Sequence, residues 1–222
     1  MQVYVAPEVE EVHALHPYLA DAAFRALPIR DQIARQAEVL HAARASEDRR
    51  ARMHIMSWWP GARGRSLDEV MTMPFTLDDA RLTMAREYGF VDWNQVEELG
   101  DTRPPADFEQ ALDDMLAGDV EGLRQRLIAN RQLTTARSAF GHRATLLHYI
   151  GANGVESHRQ CTPLNAADLA QLLIDHGADV DAEANIYGGG QTPLALASTS
   201  AHPHEAGVAA DLNRVLQTSP EP

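Results

Sequence analysis

The chain of 222 residues carries a formal net charge of -13, with 32 acidic residues against 19 basic ones. Such a charge disfavours non-specific binding to nucleic acid or to an anionic membrane. No apolar run reaches the roughly 18 to 20 residues of a membrane span, and the first residues lack the basic and apolar regions of a secretory signal peptide. Cys161 is the single cysteine, which excludes an internal disulfide. These features predict a cytoplasmic protein that binds neither nucleic acid nor a membrane.

Helical periodicity marks the first half of the chain. A first amphipathic helix is predicted from residues that recur at spacings of four and three: Ile33, Ala37, Leu40 and Arg44. A second is predicted after Thr76, an N-cap with Asp79 three residues on, and it stops at Gly89. Its inner face comprises Leu77, Ala80, Met84 and Tyr88. Pro104 and Pro105 then break the chain. We therefore expect an N-terminal helical region over 1–104 and a second domain over 105–222.

Two short helices open the second domain. Asp107 and Gln110 form a capping-box pattern before the first helix, and Gly118 ends that helix. Asp119 is placed to cap the next helix. The facing apolar positions are Phe108, Ala111, Leu112 and Met115 on the first helix, with Val120, Leu123 and Leu127 on the second. This pattern predicts an αα-hairpin, and each helix is too short to be stable unless further layers cover it.

Repeated motifs follow the hairpin. Thr145–His148, Thr162–Asn165 and Thr192–Ala195 share a Thr-x-Leu form, and Gly177–Val180 reads Gly-Ala-Asp-Val after an apolar stretch. These segments resemble the ankyrin repeat, in which Thr-Pro-Leu-His opens the first helix and Gly-Ala-Asp-Val follows the second. The resemblance covers about residues 106 to 217.

The resemblance implies an all-α fold, in which an N-terminal helical cap precedes an ankyrin-repeat solenoid of about three atypical repeats. The repeats would begin at Phe108, Thr145 and Thr192. Long inserts over 154–165 and 198–208 would project from the second and third repeats and shape specificity. Within the first insert, Thr162–Asn165 could instead begin a helix. The last repeat is expected to serve as the C-terminal cap.

The resemblance also implies structural roles for single residues. Threonine would cap a helix, proline would occupy its first position, and glycine would take the left-handed position after it. The histidine ring would bond to neighbouring backbone and order the adjoining hairpin. The residues concerned are Thr145, His148, Gly177, Asp179, Thr192 and Pro193.

The second predicted helix of the first half also looks familiar. Its continuation through Phe90 and Trp93 is similar to a segment that precedes the repeats in a set of bacterial ankyrin-repeat proteins. The matching positions are Ala85, Arg86, Glu87, Gly89, Phe90 and Trp93. This resemblance implies a capping role, with Phe90 and Trp93 as packing anchors, and it carries no activity.

The sequence offers little for catalysis or for a metal. A nucleotide-binding P-loop is excluded because the chain has no lysine, and Tyr187–Gly190 is better explained as a glycine-rich hairpin tip. His202 and His204 flank a proline, which is an awkward arrangement for chelating a metal. Cys161 and the serines near His202 lack the motifs of catalytic nucleophiles. We therefore predict no catalytic residue, no metal and no cofactor.

The segment from Arg44 to Arg65 concentrates arginine beside Trp58 and Trp59. Three interpretations stay open: the arginines are a solvated helix face and the tryptophans pack internally, the segment binds a partner, or it stacks on nucleic-acid bases. A variant of the second has the arginines dock on the acidic second half of the chain.

The function that these features favour is protein–protein interaction through a rigid ankyrin-type surface, with a partner that the sequence does not identify. The alternative is a small-molecule or metal-dependent site, possibly enzymatic, where the inserts fold over the repeat groove. Candidate binding residues are Tyr149, Asn153, Arg159, Tyr187 and His202, and His148 would join them in such a pocket.

Overall fold

The computed structural model describes residues 2–217, and these residues are mostly helical, with 62% helix and 4% strand. They divide into two compact units. An N-terminal unit comprises residues 7–104, and a C-terminal unit comprises residues 105–217 together with residues 2–6. The chain therefore leaves the C-terminal unit after Ala6 and returns to it at Pro105.

Seven α-helices make up the N-terminal unit: α1 (Pro7–Leu15), α2 (Ala22–Arg25), α3 (Ile29–Ala45), α4 (Arg52–Trp58), α5 (Leu67–Thr72), α6 (Leu77–Glu87) and α7 (Trp93–Glu98). Helix α6 begins as expected, because the Thr76 hydroxyl accepts from the Asp79 N–H and the Asp79 carboxylate accepts from the Thr76 N–H. Its buried face packs on α3 and α4. The Gln36 side-chain amide donates to the Tyr88 hydroxyl at 2.7 Å and ties α3 to the end of α6.

A buried polar pair lies in this unit. His54 on α4 and Glu87 on α6 are both about 1% exposed, with 2.5 Å between His54 Nδ1 and the carboxylate. The His16 ring stands edge-on to the His54 ring at 5.1 Å between centroids. Because hydrogen bonding offsets the desolvation of both groups, the pair fixes the approach of α4 to α6.

The C-terminal unit contains two short strands and seven α-helices: β1 (Val3–Val5), α8 (Ala106–Leu116), α9 (Val120–Ala129), α10 (Leu146–Tyr149), β2 (Cys161–Pro163), α11 (Ala166–Asp175), α12 (Pro193–Thr199), α13 (Ala201–Glu205) and α14 (Ala209–Gln217). Helix α8 packs on α9, α10 packs on α11 and α12, and α14 packs on α11 and α12. Leucine and alanine side chains of these helices form one continuous core.

Helix starts in this unit agree only in part with the sequence prediction. Asp119 caps α9 through the Gly122 N–H at 2.9 Å, as expected. The expected cap at Asp107 is wrong, because α8 begins at Ala106 and Pro105 occupies the N-cap position. A helix start at Thr162 is also excluded, since Thr162 belongs to β2 and α11 begins at Ala166.

The two strands form an antiparallel pair that no pattern in the sequence predicts. Val3 lies opposite Pro163, Tyr4 opposite Thr162 and Val5 opposite Cys161. The Tyr4 hydroxyl also donates to the Glu205 carboxylate on α13 at 2.6 Å. The fold is therefore not purely α-helical, and residues 2–6, which we expected in the N-terminal region, belong to the C-terminal unit.

Candidate functional site

One histidine, His148, links the loop that leads into α10 to the segment before α12. This segment, residues 178–191, is called the hairpin below. His148 Nδ1 accepts from the Thr145 N–H at 3.2 Å and lies 2.8 Å from the Thr145 hydroxyl. Its Nε2 lies 3.1 Å from the Gln191 carbonyl oxygen, to which the Nε2–H donates. Burial lowers the pKa of His148 to about 4, against an ordinary value of 6.5, so the ring is neutral at neutral pH.

The segment from Ala178 to Tyr187 alternates in burial along its length. Its inward residues are Ala178, Val180, Ala182, Ala184 and Ile186, and its outward residues are Asp179, Asp181, Glu183, Asn185 and Tyr187. Residues 179–182 form a turn, in which the Ala182 N–H donates to the Asp179 carbonyl at 3.4 Å. From Ala182 to Ile186 the period of two is what an extended backbone produces when one face lies on a core. Ala184 and Gln191 pair as an isolated antiparallel bridge that closes the turn.

The tip of this hairpin holds Tyr187 in an unusual backbone conformation. Tyr187 has φ of 52°, and Gly188, Gly189 and Gly190 also have positive φ. Glycine adopts such values readily, whereas a tyrosine is held there only by surrounding contacts. The sequence therefore predicted the glycine-rich turn correctly but gave no sign that Tyr187 shares its left-handed backbone.

Contacts with Asn153 and Gly154 hold the Tyr187 side chain. Its hydroxyl donates to Asn153 Oδ1 at 2.7 Å, and Asn153 Nδ2 in turn donates to the Leu196 carbonyl and the Thr199 hydroxyl. The ring lies so close to Gly154 that a Cβ there would be 3.1 Å from the ring and 2.3 Å from Ile186. Tyr187 nevertheless remains 61% exposed. It is an exposed aromatic residue in a fixed orientation.

A buried network of charges lies under the insert between α10 and α11. Arg159 forms an ion pair with Glu109 of α8, and its Nη1 lies 3.8 Å from Glu156 Oε1. The Tyr149 hydroxyl of α10 donates to Glu156 Oε1 at 3.1 Å. His142 Nε2 lies 3.5 Å from Glu156 Oε2. We call these five residues the buried charge network.

The burial of this network changes how its members ionise. Although burial by itself raises the pKa of Glu156, His142 and Arg159 beside it lower that pKa to about 2. Burial lowers the pKa of Arg159, but Glu109 and Glu156 outweigh it and raise the pKa well above the ordinary value. Burial, followed by the Glu156 carboxylate, raises the pKa of Tyr149. Glu156 is therefore held as a carboxylate beside the Arg159 guanidinium, and Tyr149 is held as a neutral phenol.

The insert that carries Glu156 and Arg159 does not project as we expected. From Gly154 to Pro163 all residues are buried except His158 and Cys161, which are half-buried. The expectation of an exposed specificity loop over 154–165 is therefore wrong for most of its length. The reason is physical: the charged side chains of the insert point inward, where α8 and α10 supply their partners.

The candidate binding residues fall into separate hydrogen-bonded groups. Tyr149 and Arg159 belong to the buried charge network, whereas Asn153 and Tyr187 bond to each other at the hairpin tip. His202 is buried on α13. The sequence did not predict that Glu109, His142 and Glu156 belong to a buried network, because none of them stands in a motif that signals burial.

The remaining signature positions occupy defined places. Thr192 caps α12 through the Ala195 N–H at 3.2 Å, and Pro193 takes the first helical position. Gly177 has φ of 98° directly after α11, and the Asp179 carboxylate accepts from the Asp181 N–H at 3.0 Å. Thr192 and Pro193 therefore begin α12, whereas Gly177 and Asp179 shape the turn after α11.

In the N-terminal unit, Trp59 is buried and not available for stacking. Its Nε1–H donates to Asp79 at 3.1 Å, and its ring packs edge-on against Phe75. Arg44 donates to the Met71 and Met73 carbonyls, and Arg52 pairs with Glu11 at 2.9 Å. This arrangement favours internal packing of Trp59 over contact with bases. Phe90 is buried and Trp93 is half-buried, with Arg81 over its ring.

Within residues 2–217, no group of three or more His, Cys, Asp or Glu side chains is arranged to hold a metal ion. Over the same range, no helix is both long and apolar enough to cross a membrane. Comparison of the chain with protein-family models, with curated proteins and with solved structures gives no match.

Proposed function

We propose that the C-terminal unit is an atypical ankyrin-type stack of three helix pairs, and that the protein acts as a protein-binding module. The order of elements supports this proposal. Helices α8 and α9, α10 and α11, and α12 and α14 follow one another as pairs, with non-helical segments between the pairs. The bonds from His148 to Thr145 and Gln191 match the role that the repeat signature gives its histidine.

The observation that carries the proposal is the fixed, exposed Tyr187. Tyrosine is enriched among the residues that contribute most to binding at protein interfaces, because one rigid side chain offers a large apolar area and a hydroxyl. Asn153 and Gly154 hold the ring before any partner arrives. Little side-chain entropy is then lost on association, which favours affinity.

The exposed row that leads to Tyr187 supports an interaction surface of modest size. The exposed residues of the segment before Tyr187 are Asp179, Asp181, Glu183 and Asn185. Their neighbours on the inner face anchor the segment in the core, so the row is presented by a stable backbone. We propose that the partner is another protein and that it contacts this row and Tyr187.

The alternative of a small-molecule or metal-dependent site has less support. It requires Tyr149, Arg159, Asn153 and Tyr187 to converge on one ligand, but their hydrogen bonds link them into two separate groups. We propose a cytoplasmic location, where a protein with one unpaired cysteine is ordinary.

The test is an affinity capture from a lysate of the source organism with three baits: the natural chain, Tyr187→Ala and Ile128→Ala. Ile128 is a matched control because it is 67% exposed and lies on α9, away from the hairpin in sequence. We expect one protein to be captured in stoichiometric amount by the natural chain and by Ile128→Ala, and to be lost with Tyr187→Ala. Equal capture by all three baits would exclude the hairpin tip as the binding surface.

A further inference from the structure

Four polar atoms of the buried charge network have no hydrogen-bond partner among residues 2–217. They are Glu109 Oε1, His142 Nε2, Glu156 Oε2 and Arg159 Nη1. All four are shielded from bulk solvent. A buried polar atom without a partner gives up its hydration and receives nothing in return. Because such atoms are rare in folded proteins, four of them in one network indicate a bound group that completes their hydrogen bonds.

Two separations inside the network exceed the length of a well-formed hydrogen bond. His142 Nε2 lies 3.5 Å from Glu156 Oε2, and Arg159 Nη1 lies 3.8 Å from Glu156 Oε1. An N–H···O hydrogen bond usually spans about 2.7 to 3.2 Å. The side chains are held at these positions by other bonds, from the Tyr149 hydroxyl to Glu156 and from Arg159 Nη2 to Glu109. A bridging water molecule is the usual way in which a polar contact of this length is completed.

The four atoms comprise two donors and two acceptors. Arg159 Nη1 belongs to a guanidinium, which can only donate. His142 Nε2 also carries a hydrogen, because Nδ1 of the same ring accepts from the Ala144 N–H at 3.1 Å. Glu156 Oε2 and Glu109 Oε1 belong to the carboxylates that face Arg159, and they accept. A ligand at these atoms must therefore both accept and donate hydrogen bonds.

Water is the ligand that this mixed set fits. A metal cation would meet the Arg159 guanidinium and the His142 N–H, whereas an anion would meet the carboxylates of the network. Internal water molecules typically make about three hydrogen bonds to buried polar groups, and they donate as well as accept. We propose that the buried charge network binds internal water, which accepts from the Arg159 and His142 N–H groups and donates to the two free carboxylate oxygens.

Aromatic rings enclose this hydration site. Phe140 and Tyr149 each lie with their ring centroid 6.0 Å from the Arg159 guanidinium carbon. The same two rings stand edge-on to the His142 ring, at 5.9 and 5.8 Å between centroids. Arg159 and His142 therefore share one neighbourhood, with apolar walls around their polar atoms. Water held there exchanges with bulk solvent only when this part of the unit opens, so it should be long-lived.

The bound water also has a structural role. Glu109 lies on α8, His142 in the loop before α10, and Glu156 and Arg159 on the insert after α10. The ion pair of Arg159 with Glu109 already ties the insert to α8. Water at the four atoms adds hydrogen bonds between the insert and the loop of His142, so three segments that are distant in sequence are joined at one point.

The first experiment is a high-resolution crystal structure of the full natural chain. We expect solvent density within hydrogen-bond distance of at least two of the four atoms, with one donor and one acceptor among them. Ordered side chains with no solvent density at any of the four atoms would overturn the proposal. Density with the anomalous signal or the coordination geometry of an ion would overturn it as well, since the ligand would then not be water.

The second experiment detects long-lived water in solution by magnetic relaxation dispersion of the water oxygen-17 nucleus. The test variant replaces the charges of the network together, as Glu109→Leu, Glu156→Leu and Arg159→Met, because apolar replacement of a whole buried ion cluster is often tolerated. The control variant makes the same kind of change at the exposed pair of α9, as Glu121→Leu and Arg124→Met.

We expect the dispersion amplitude of the test variant to fall by the equivalent of at least one water molecule per chain, and that of the control variant to equal the natural chain. Equal amplitudes in the natural chain and a folded test variant would overturn the proposal. If the test variant does not fold, the crystal structure of the natural chain decides. No partner is present in either experiment, so both results are independent of the capture experiment.

Discussion

Arg159 and Glu109 form a buried ion pair across 50 positions of sequence, and this pair joins the insert after α10 to the first helix of the C-terminal unit. Both side chains lose their hydration on folding, so each depends on the other for compensation. The insert is consequently part of the core of this unit.

The first prediction concerns this ion pair. Arg159→Ala should lower the free energy of unfolding by about 3 to 5 kcal/mol, because it leaves the Glu109 and Glu156 carboxylates buried without their cation. Urea denaturation followed by circular dichroism measures the change. Arg124→Ala is the control, since Arg124 pairs with Glu121 on the exposed surface of α9 and should change stability by less than about 1 kcal/mol. Similar losses for both variants would show that Arg159 is not buried as described.

The second prediction uses the strand register. Val5 lies opposite Cys161, so Val5→Cys should form a disulfide with Cys161 under mild oxidation and leave no free thiol per chain. Closing so long a loop should raise the free energy of unfolding by roughly 2 to 4 kcal/mol. Thiol titration and urea denaturation with and without reductant measure both effects. Tyr4→Cys points to the other face of the strand and serves as the control; equal oxidation of the two variants would contradict the register.

The third prediction is a pH dependence of stability. The pKa of His148 is about 4 in the folded chain and near 6.5 when the chain is unfolded, so the unfolded chain binds the proton more tightly. The stability that His148 contributes is full above about pH 6.5 and is lost as the pH falls towards 4. Relative to His148→Asn, which does not titrate, the natural chain should lose roughly 2 to 3 kcal/mol over this interval. Parallel stability curves for the two proteins, measured by urea denaturation, would contradict this assignment.

The fourth prediction concerns the support of Tyr187. Gly154→Ala places a Cβ 2.3 Å from Ile186 Cγ2 at a backbone φ of 70°. We expect a loss of about 2 kcal/mol or more, since both the strain and the overlap oppose the native hairpin. Gly64→Ala shares the positive φ of 73° but meets no atom within 4 Å, so it reports the backbone strain alone. Thermal unfolding compares the two, and a smaller loss for Gly154→Ala would contradict the packing of the tip.

Local signals in the sequence were sufficient to predict where several helices begin. Thr76 with Asp79, and Thr192 with Pro193, define helix starts because the capping groups lie within three residues of the N–H groups that they bind. Asp107 failed as a cap for an equally local reason. Pro105 already occupies the N-cap position, so Asp107 falls inside the first turn of α8.

Features that depend on distant partners could not be predicted in this way. Thr162–Asn165 has the letters of a helix start, yet Thr162 and Pro163 pair with β1, more than 150 residues away in sequence. Glu109 lies on a helix whose first residues give no sign of a buried carboxylate. The ion pair with Arg159 offsets the desolvation cost of burying it. The orientation of Tyr187 likewise needs Asn153, whose own position depends on α12.

The binding surface of the proposed function is the hairpin tip at Tyr187. The most direct test replaces Tyr187 with a photo-crosslinking phenylalanine analogue and irradiates the protein in a lysate of the source organism, with the same analogue at Ile128 for comparison. We predict one dominant covalent adduct from position 187 and none of that mass from position 128. Equal adducts from both positions, or no adduct from position 187 in folded protein, would contradict the assignment of the tip as the binding surface.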